Sequence, residues 1–368
     1  MGKVMRAIGL MSGTSMDGLD LALIETDGEA HVRRIAAASV VYPGDFRARL
    51  RQGLVDAATI VTRTDRTGRL AAVEQELTER HAAAVERFMG EHMLQPSAVD
   101  VIGFHGQTVL HKPEIGLTVQ IGDGPLLARL TGVDVVYDLR AADCAAGGQG
   151  APLVPVYHRA LAARIPERPL AFVNIGGVAN VTWIGRDGAL IAFDTGPGNA
   201  LIDDWMLHHT GIARDGDGAL AAMGVVHEPA LRTWLSLPYF SAVPPKSLDR
   251  NGFSLAPVDG LSAADGAATL TAFTAESIAR AREHFPEQPG LWIITGGGRR
   301  NRTLMSLIAA RVENAVAPAE AVHLDGDDME AEAWAYLAVR SLQSLPITFP
   351  ATTGVPQPMT GGVVARAV

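Results

Sequence analysis

Two segments of this sequence share one layout: an apolar run, a turn of small residues, and a second apolar run. The first is residues 8–27, IGLMSGTSMDGLDLALIETD, and the second is residues 171–184, AFVNIGGVANVTWI. Short apolar runs joined by a tight turn predict β-hairpins. Because the two hairpins lie so far apart, we predict two related α/β halves that face each other across a cleft. This inference rests on layout, since no sequence repeat is detectable.

The first hairpin carries groups that suit an anionic ligand. Gly13 and Gly18 permit backbone angles and close approaches that a Cβ atom would forbid. Small hydroxyls and backbone N–H groups of residues 12–18 can surround phosphate oxygens. Asp17 and Asp20 would repel a bare phosphate, so they fit only beside a divalent metal or as hydrogen-bond acceptors. From this stretch alone, an ordinary hairpin with a polar turn explains the residues equally well.

Length and composition describe a globular protein with room for two sizeable cores. The chain has 368 residues, 48% of them hydrophobic, and a net charge of −9, which argues against a nucleic-acid surface. Its one cysteine, Cys144, cannot form an intrachain disulfide, which fits a reducing compartment; a small buried residue is a better interpretation than a catalytic thiol. Since neither a signal peptide nor an apolar stretch of spanning length is evident, we expect a soluble cytoplasmic protein without a membrane partner.

Polar residues follow a short predicted strand in the first half of the chain. The run Val99 to Phe104 leads directly into His105, Gly106, Gln107 and Thr108. The carboxyl end of a strand is where open α/β sheets bind ligands. His105 alone is better explained as a structural histidine, but beside Gln107 and Thr108 it favours a ligand-facing loop.

Arg140 stands at the mouth of a glycine-rich segment, residues 141–150. A loop so poor in side chains serves as a hinge or as a backbone surface for a ligand. The guanidinium of Arg140 can hold a carboxylate through two parallel hydrogen bonds. A local ion pair is an equally good explanation from the residues alone.

The second half offers a candidate general base. The predicted strand Leu190 to Phe193 ends at Asp194, which opens the sequence DTGPGN and is followed by the predicted helix Ala200 to His209. A carboxylate at the end of a strand, under a glycine turn, is well placed to accept a proton. The alternative is that Asp194 only caps the turn.

A third glycine turn follows the predicted strand Leu291 to Thr295. Gly296, Gly297 and Gly298 precede a predicted helix, Asn301 to Val312, and so form a flat backbone shelf near a helix N-terminus. Such a shelf suits the adenine and ribose of a nucleotide. Glycines after a strand often do no more than turn the chain, so the pattern gains weight only beside the two other glycine turns.

Four charged residues of the second half remain to be interpreted. Glu330 and Glu332 lie near the first turn of the last long helix, where acidic side chains interact favourably with the helix dipole, and this role explains one of them. Lys246 and Arg250 belong to a proline-bounded loop. They can neutralise phosphate or hold a neighbouring loop, and the sequence leaves their role open.

Taken together, these motifs resemble a known family. MSGTSMDGLD, HGQT, AAGGQGAPLVP, NIGG, FDTGPGN and the triple glycine occur here in the order found in the anhydro-N-acetylmuramic acid kinases, which belong to the sugar kinase/Hsp70/actin superfamily. The resemblance covers nearly the whole chain. It implies a two-lobed, actin-like α/β ATPase fold with duplicated ribonuclease-H-like lobes around a central cleft. We expect one lobe at residues 1–138 plus 347–368 and the other at residues 139–346.

The resemblance also implies roles for individual residues. Asp194 is the implied catalytic base, and Mg²⁺ is expected at Asp17 or Asp20. The implied sugar contacts are His105, Gln107, Thr108, Arg140, Gly196 and Glu330. The implied contacts to ATP are Gly13, Thr14, Ser15, Met16, Asp17, Gly18, Leu19, Asp20, Asn174, Gly176, Gly177, Gly296, Gly297 and Gly298.

The implied activity is that of a bacterial kinase of peptidoglycan recycling. It would use ATP and Mg²⁺ to phosphorylate 1,6-anhydro-N-acetylmuramic acid with hydrolysis of the anhydro bond, giving N-acetylmuramic acid 6-phosphate and ADP, and a homodimer is expected. Two alternatives stay open. Another sugar or acid kinase of the superfamily would differ at Arg140, residues 105–108 and Glu330, whereas a non-enzymatic actin-like ATP-binding protein would show no sugar turnover.

Overall fold

The structure is a computed structural model that describes residues 2–13, 16–248 and 252–367. Three residues named in the sequence analysis, Thr14, Ser15 and Arg250, lie outside the described residues.

The chain packs as two units. The first holds the residues up to Ala163 and those from Asp328 onward, and the second is Arg164–Asp327. Residues 139–163 and 328–346, which we had expected in the second lobe, fall in the first unit of this division. The last long helix therefore belongs to the unit that carries the first hairpin.

The described strands are numbered in chain order. They are β1 Met5–Met11, β2 Gly18–Thr26, β3 Val32–Val41, β4 Val101–Phe104, β5 Gln107–Lys112, β6 Leu117–Ile121, β7 Val135–Tyr137, β8 Leu170–Ile175, β9 Val178–Ile184, β10 Leu190–Pro197, β11 Leu291–Thr295, β12 Ala315–Pro318 and β13 Val363–Ala365.

The described α-helices are numbered in the same way. They are α1 Gly44–Ala57, α2 Leu70–Glu91, α3 Gly124–Thr131, α4 Ala141–Ala145, α5 Pro155–Ala162, α6 Ala200–Thr210, α7 Glu228–Leu235, α8 Pro238–Ser241, α9 Ala263–Arg280, α10 Arg302–Val312, α11 Met329–Leu342 and α12 Pro350–Thr353. Within the described ranges, none of them combines the length and apolar character that crossing a bilayer requires.

The first unit is built on a six-stranded mixed sheet in the order β3-β2-β1-β4-β7-β13. Strands β1, β2 and β3 form an antiparallel meander, whereas β4 and β7 continue on the other side of β1 as parallel strands. Strand β13 pairs antiparallel with β7, and β5 and β6 form a separate antiparallel ribbon. Every residue of β4 is buried, as expected for a central parallel strand made only of apolar residues and glycine.

The second unit repeats this arrangement in five strands. Its sheet has the order β10-β9-β8-β11-β12, in which β8, β9 and β10 form the antiparallel meander and β11 and β12 are the parallel strands. Each meander begins with one of the two predicted hairpins. The two sheets thus share one strand order, which confirms the predicted duplication of a ribonuclease-H-like lobe.

Helix α11 lies directly on the first sheet because two glycines make room for it. A Cβ atom at Gly9 of β1 would lie 1.8 Å from the carbonyl oxygen of Ala331, and one at Gly103 of β4 would lie 2.0 Å from that of Trp334. Residues 331–340 are all buried. The N-terminal turn of α11, which carries Glu330, is therefore held at a fixed height above β1 and β4.

One predicted boundary needs correction. We expected a strand to end at Phe193, but β10 continues through Asp194 to Pro197 and pairs with β9 over that stretch. A shift in register between Asp194 and Gly196 marks a β-bulge. The bulge accommodates a sequence that reads as a turn, and it bends the strand where the candidate base lies.

Candidate active site

The turn between β1 and β2 is held by the loop that follows β4. The Ser12 hydroxyl donates a hydrogen bond to the carbonyl oxygen of Gly106 at 2.6 Å. The Gln107 side-chain amide donates to the carbonyl oxygen of Gly13 at 3.2 Å, and the backbone N–H of Met16 closes the turn onto the same oxygen at 3.1 Å. The predicted phosphate turn and the predicted sugar loop are thus one connected structure.

The described members of the predicted phosphate turn differ in what they can offer a ligand. Met16 has φ of +54°, the left-handed conformation that turns its backbone out of a regular strand. A Cβ atom at Gly18 would lie 2.6 Å from the Val40 carbonyl oxygen, so only glycine fits there. Leu19 is buried in the hydrophobic core, which leaves only its backbone for the role predicted for it.

Two carboxylates flank the start of β2. Asp17 is exposed, whereas Asp20 is half-buried and accepts a hydrogen bond from the Ser39 hydroxyl at 2.6 Å. Among the described residues there is no cluster of three or more His, Cys, Asp or Glu side chains that would form a protein-only metal site. Mg²⁺ is commonly held by one or two carboxylates together with substrate phosphates, so the exposed Asp17 carboxylate fits a nucleotide-bound Mg²⁺.

His105 is buried and joins two parts of the first unit. Its Nδ1 atom lies 3.0 Å from the carbonyl oxygen of Ser12, and its Nε2 atom lies 3.2 Å from Nη2 of Arg140. Burial, and next the Arg140 charge, lower the pKa of His105 to about 3. The neutral ring therefore donates from Nδ1 to Ser12 and accepts from Arg140 at Nε2. His105 thus holds Arg140 in place.

The Arg140 guanidinium is fixed on three sides. Besides His105, its Nη1 atom donates to the carbonyl oxygen of Gly150 at 2.8 Å. Its central carbon lies 5.2 Å from the centre of the Trp334 ring, within the range of a cation–π contact. Trp334 is itself anchored, since its ring N–H points at the Met11 sulfur 3.0 Å away. A half-buried guanidinium held this rigidly is suited to recognising a planar anion.

Gln107, two residues after His105, carries an acceptor that no described residue satisfies. The side chain is 1% exposed, and no group of the described residues donates to its Oε1 atom. A buried acceptor without a partner costs about 1–3 kcal/mol, which a donor from a bound ligand would offset. Thr108, by contrast, accepts a hydrogen bond from the Gln120 amide at 3.3 Å.

The glycine-rich segment after Arg140 is anchored by Asp143, which sequence reasoning missed. The buried Asp143 carboxylate accepts hydrogen bonds from the Gly150 backbone N–H and the Thr353 hydroxyl, both at 2.6 Å. Cys144 is fully buried beside it, and burial raises the pKa of its thiol to about 11. These contacts support the interpretation of Cys144 as a buried packing residue.

The two glutamates at the start of α11 have different surroundings. Glu332 is buried, accepts a hydrogen bond from the Tyr157 hydroxyl at 2.6 Å and pairs with Arg34 at 3.0 Å, so it fastens the helix within the first unit. Glu330 is half-buried and thus less enclosed than Glu332. Of the two, Glu330 therefore stays the candidate for ligand contact.

In the second unit, the Gly176-Gly177 turn has an open surface. A Cβ atom at either glycine would meet nothing closer than 3.7 Å. The segment after β10 fastens this turn through two backbone hydrogen bonds. The Asn199 N–H donates to the Gly176 carbonyl oxygen at 2.7 Å, and the Gly198 N–H donates to the Gly177 carbonyl oxygen at 2.9 Å. The turn is thus rigid and bare, as a phosphate-contacting loop requires.

The triple glycine follows β11 and leads into a single 3₁₀ turn, Gly297–Arg300, in which Gly298 is buried. Gly296 has φ of +70°, and its Cβ would lie 2.3 Å from the Asn174 side-chain oxygen. Gly297 is exposed, and its Cβ would meet nothing closer than the Asn199 amide nitrogen at 3.8 Å. The buried Arg299 side chain donates to the carbonyl oxygen of Gly296 at 2.9 Å and pairs with Asp327. The predicted site residues Asn174 and Gly296 are therefore neighbours.

Asp194 is half-buried on the bulged part of β10. Its Oδ2 atom accepts a hydrogen bond from the Leu248 backbone N–H at 2.8 Å, and its own N–H donates to the Lys246 carbonyl oxygen at 3.1 Å. The nearby Gly196 is buried, and a Cβ there would lie 2.6 Å from the Ser277 hydroxyl. Packing alone thus explains that glycine, while Asp194 has the oriented carboxylate of a candidate base.

A family model for anhydro-N-acetylmuramic acid kinase matches residues 5–367. The chain belongs to the anhydro-N-acetylmuramic acid kinase family. The family predicted from the ordered motifs and the prediction of an enzyme are both confirmed.

Relatives named anhydro-N-acetylmuramic acid kinase match this family member almost end to end. The protein of Rhizorhabdus wittichii is 54% identical over 98% of this chain and 99% of its own length. That of Brucella canis is 53% identical over 98% of both chains, and that of Methylobacterium nodulans is 54% identical over 98% of this chain and all of its own.

The sequence analysis missed four residues of the candidate site. They are Asp143, Trp334, Leu248 and also Tyr239, whose hydroxyl donates a hydrogen bond to the Asp194 carbonyl oxygen at 2.5 Å. Asp143 and Trp334 act on Arg140 and its loop through long-range contacts, which local patterns do not reveal. Leu248 contributes a backbone N–H, for which no side-chain signal exists. The one sequence signal near Asp194 was the proline-bounded loop that contains Lys246.

Proposed function

We propose that the chain is an ATP-dependent kinase that opens the 1,6-anhydro bridge of 1,6-anhydro-N-acetylmuramic acid and phosphorylates O6. The products are N-acetylmuramic acid 6-phosphate and ADP, and the pathway is peptidoglycan recycling. The family match over residues 5–367 carries this proposal, because it extends across every motif on which the substrate assignment rests.

Asp194 is the proposed general base. Its carboxylate takes a proton from a water molecule as the water oxygen bonds to the anomeric carbon. The bond between that carbon and O6 breaks, and O6 forms a bond to the γ-phosphorus as the bond to the ADP oxygen breaks. A base acts only from within hydrogen-bond reach of the proton, and the Leu248 N–H fixes the carboxylate orientation that this requires.

Arg140, Gln107 and Glu330 are the proposed sugar-binding groups. The lactyl group of the muramic acid carries a carboxylate, which the rigid Arg140 guanidinium can bind through two hydrogen bonds. The Gln107 Oε1 atom, to which no described residue donates, would accept a hydrogen bond from an N–H or O–H group of the sugar. His105 contributes by orienting Arg140, and Thr108 by shaping the adjoining ribbon.

The glycine turns are the proposed nucleotide contacts. Residues 13–20 and the Gly176-Gly177 turn would approach the phosphates with their backbones, and Gly297 would support the nucleoside. Asp17 would hold a Mg²⁺ ion, which supplies positive charge that offsets the charge of the phosphates. We further propose a cytoplasmic homodimer, for which sedimentation of the purified protein is the measurement.

Product analysis in ¹⁸O-labelled water tests this reaction. If water attacks the anomeric carbon, mass spectrometry of the sugar product will find one ¹⁸O at the anomeric hydroxyl and none at O6 or in the phosphoryl group. Label in the phosphoryl group would instead mean that water attacks phosphorus, and no labelled sugar phosphate at all would contradict the proposed activity.

A further inference from the structure

We propose that Tyr239 and the loop of residues 244–248 form a clamp that orients Asp194, and that Lys246 is the positioning residue which holds this clamp together. The inference deepens the proposed function, since it rests on Asp194 being the base. It assigns a role to the loop that the sequence left unexplained.

Three hydrogen bonds from this segment converge on Asp194. The Tyr239 hydroxyl donates to its carbonyl oxygen at 2.5 Å. Its backbone N–H donates to the Lys246 carbonyl oxygen at 3.1 Å, and its Oδ2 atom accepts from the Leu248 N–H at 2.8 Å. The N–H and the carbonyl group of Asp194 are thus both held, and its carboxylate is held at Oδ2. These contacts fall at the β-bulge, where the regular pairing of β10 is interrupted.

Lys246 links the parts of the clamp through its side chain. Its ammonium nitrogen donates to the Tyr239 carbonyl oxygen at 3.1 Å and lies 4.9 Å from the centre of the Tyr239 ring. It also lies 5.6 Å from the ring of Phe193, the residue directly before Asp194. Both distances are within the range of a cation–π contact, which is stronger when the cation is partly desolvated. Burial lowers the pKa of Lys246, in agreement with an ammonium enclosed by rings.

The clamp has a consequence for the chemistry of Asp194. A backbone N–H donated to a carboxylate favours its ionised form, which is the form that accepts a proton. If the loop loosens, this hydrogen bond weakens and the ionised carboxylate of Asp194 is less stabilised. The titratable groups that the described contacts bring to this cluster are Tyr239 and Lys246, with Glu283 and His284 beside Lys246.

The test compares three variants by steady-state kinetics across pH. Lys246→Met keeps the aliphatic stem but removes the charge, Lys246→Arg restores a cation, and Tyr239→Phe removes a single hydroxyl. We expect kcat of Lys246→Met to fall about 100-fold, the loss that a misplacement of about 1 Å can cause, with KM for both substrates near wild type. We expect the acid limb of its kcat/KM profile to move to higher pH.

Rescue and controls separate positioning from folding. Lys246→Arg should recover most of kcat, and Tyr239→Phe should move the acid limb in the same direction as Lys246→Met. Lys3→Met removes an exposed ammonium, and Tyr336→Phe removes another tyrosine hydroxyl that donates to a backbone carbonyl, in the first unit. Both should leave the acid limb unchanged, whatever they do to stability.

The outcomes distinguish this inference from the proposed function. Wild-type turnover together with an unmoved acid limb in both Lys246→Met and Tyr239→Phe would overturn the clamp alone. A raised KM with unchanged kcat in Lys246→Met would also overturn it, because Lys246 would then bind substrate. If Lys246→Met does not fold, Tyr239→Phe decides. Absence of sugar turnover by the wild-type protein would overturn the proposed function instead.

Discussion

His105 joins two neighbouring loops of the first unit through its two ring nitrogens. From the sequence, a structural and a ligand-facing role were both open for this histidine. Its contacts to Ser12 and Arg140 show a structural role, in which His105 orients the residue that we propose to bind the substrate carboxylate. No local pattern reveals this, since Arg140 lies 35 residues away along the chain.

Burial of neutral His105 predicts a pH-dependent contribution to stability. The native ring has a pKa of about 3, whereas an unfolded histidine titrates near about 6.5, so between these values the unfolded state binds more protons. The contribution is complete above about pH 6.5 and is lost as the pH falls toward 3. His105→Gln should therefore lose less unfolding free energy than wild type between about pH 7 and about pH 4, as measured by urea titration.

The matched control is His92→Gln, because His92 is exposed at the end of α2. Its unfolding free energy should follow the wild-type dependence on pH. Parallel curves for His105→Gln and His92→Gln would contradict the buried neutral imidazole.

Arg140→Lys tests recognition of the lactyl carboxylate. Lysine keeps the charge but cannot form the paired hydrogen bonds of a guanidinium, so we expect kcat/KM for the muramic sugar to fall about 10- to 100-fold. The anhydro-sugar without the lactyl group should lose far less. Arg129→Lys, at an exposed position of α3, should change neither value. Equal losses with both sugars would show that Arg140 does not read the carboxylate and would favour another sugar as substrate.

At the scale of elements, the sequence predicts what local patterns encode. Both hairpins, the strand Leu291–Thr295 and the helix before β12 were predicted because apolar runs bounded by glycine turns specify them. The extension of β10 beyond Phe193 was not predicted, because the sequence Asp-Thr-Gly-Pro is typical of a turn. Only its pairing with β9 makes it a strand. The clamp on Asp194 was likewise missed, because its partners lie 45 to 54 residues further along the chain.

Replacing glycine with alanine should change the unfolding free energy in opposite directions at two helix and strand positions. In β1, where α11 packs closely, it should destabilise the protein, whereas in α2 it should stabilise it. Gly9→Ala would force a Cβ atom against the Ala331 backbone, so we expect a loss of about 1–3 kcal/mol of unfolding free energy or more. Gly90→Ala, in α2 with nothing within 4 Å of the added atom, should gain about 0.5–1 kcal/mol. Urea unfolding of both variants is the measurement, and a neutral Gly9→Ala would contradict the close seating of α11.

At the scale of the whole molecule, the chain repeats one strand order in two units. The layout of the hairpins predicted this duplication, because each hairpin opens a meander. The order of the motifs along the chain did not predict that residues 328–346 pack with the first unit. That return depends on contacts such as Glu332 with Tyr157 and Arg34, which join residues far apart in sequence.

The assignment of Asp194 as the base is the claim on which the mechanism depends. Asp194→Asn keeps the size of the side chain and removes its ability to take a proton, while the glycine turns proposed to bind the nucleotide stay intact. Asp259→Asn, at an exposed position, is the matched control.

Turnover of anhydro-N-acetylmuramic acid by Asp194→Asn, measured beside binding of a non-hydrolysable ATP analogue, tests that claim most directly. We predict turnover about 100- to 10,000-fold below wild type, with analogue binding near wild type and the Asp259→Asn control unaffected. An Asp194→Asn enzyme that keeps most of its turnover would contradict the assignment.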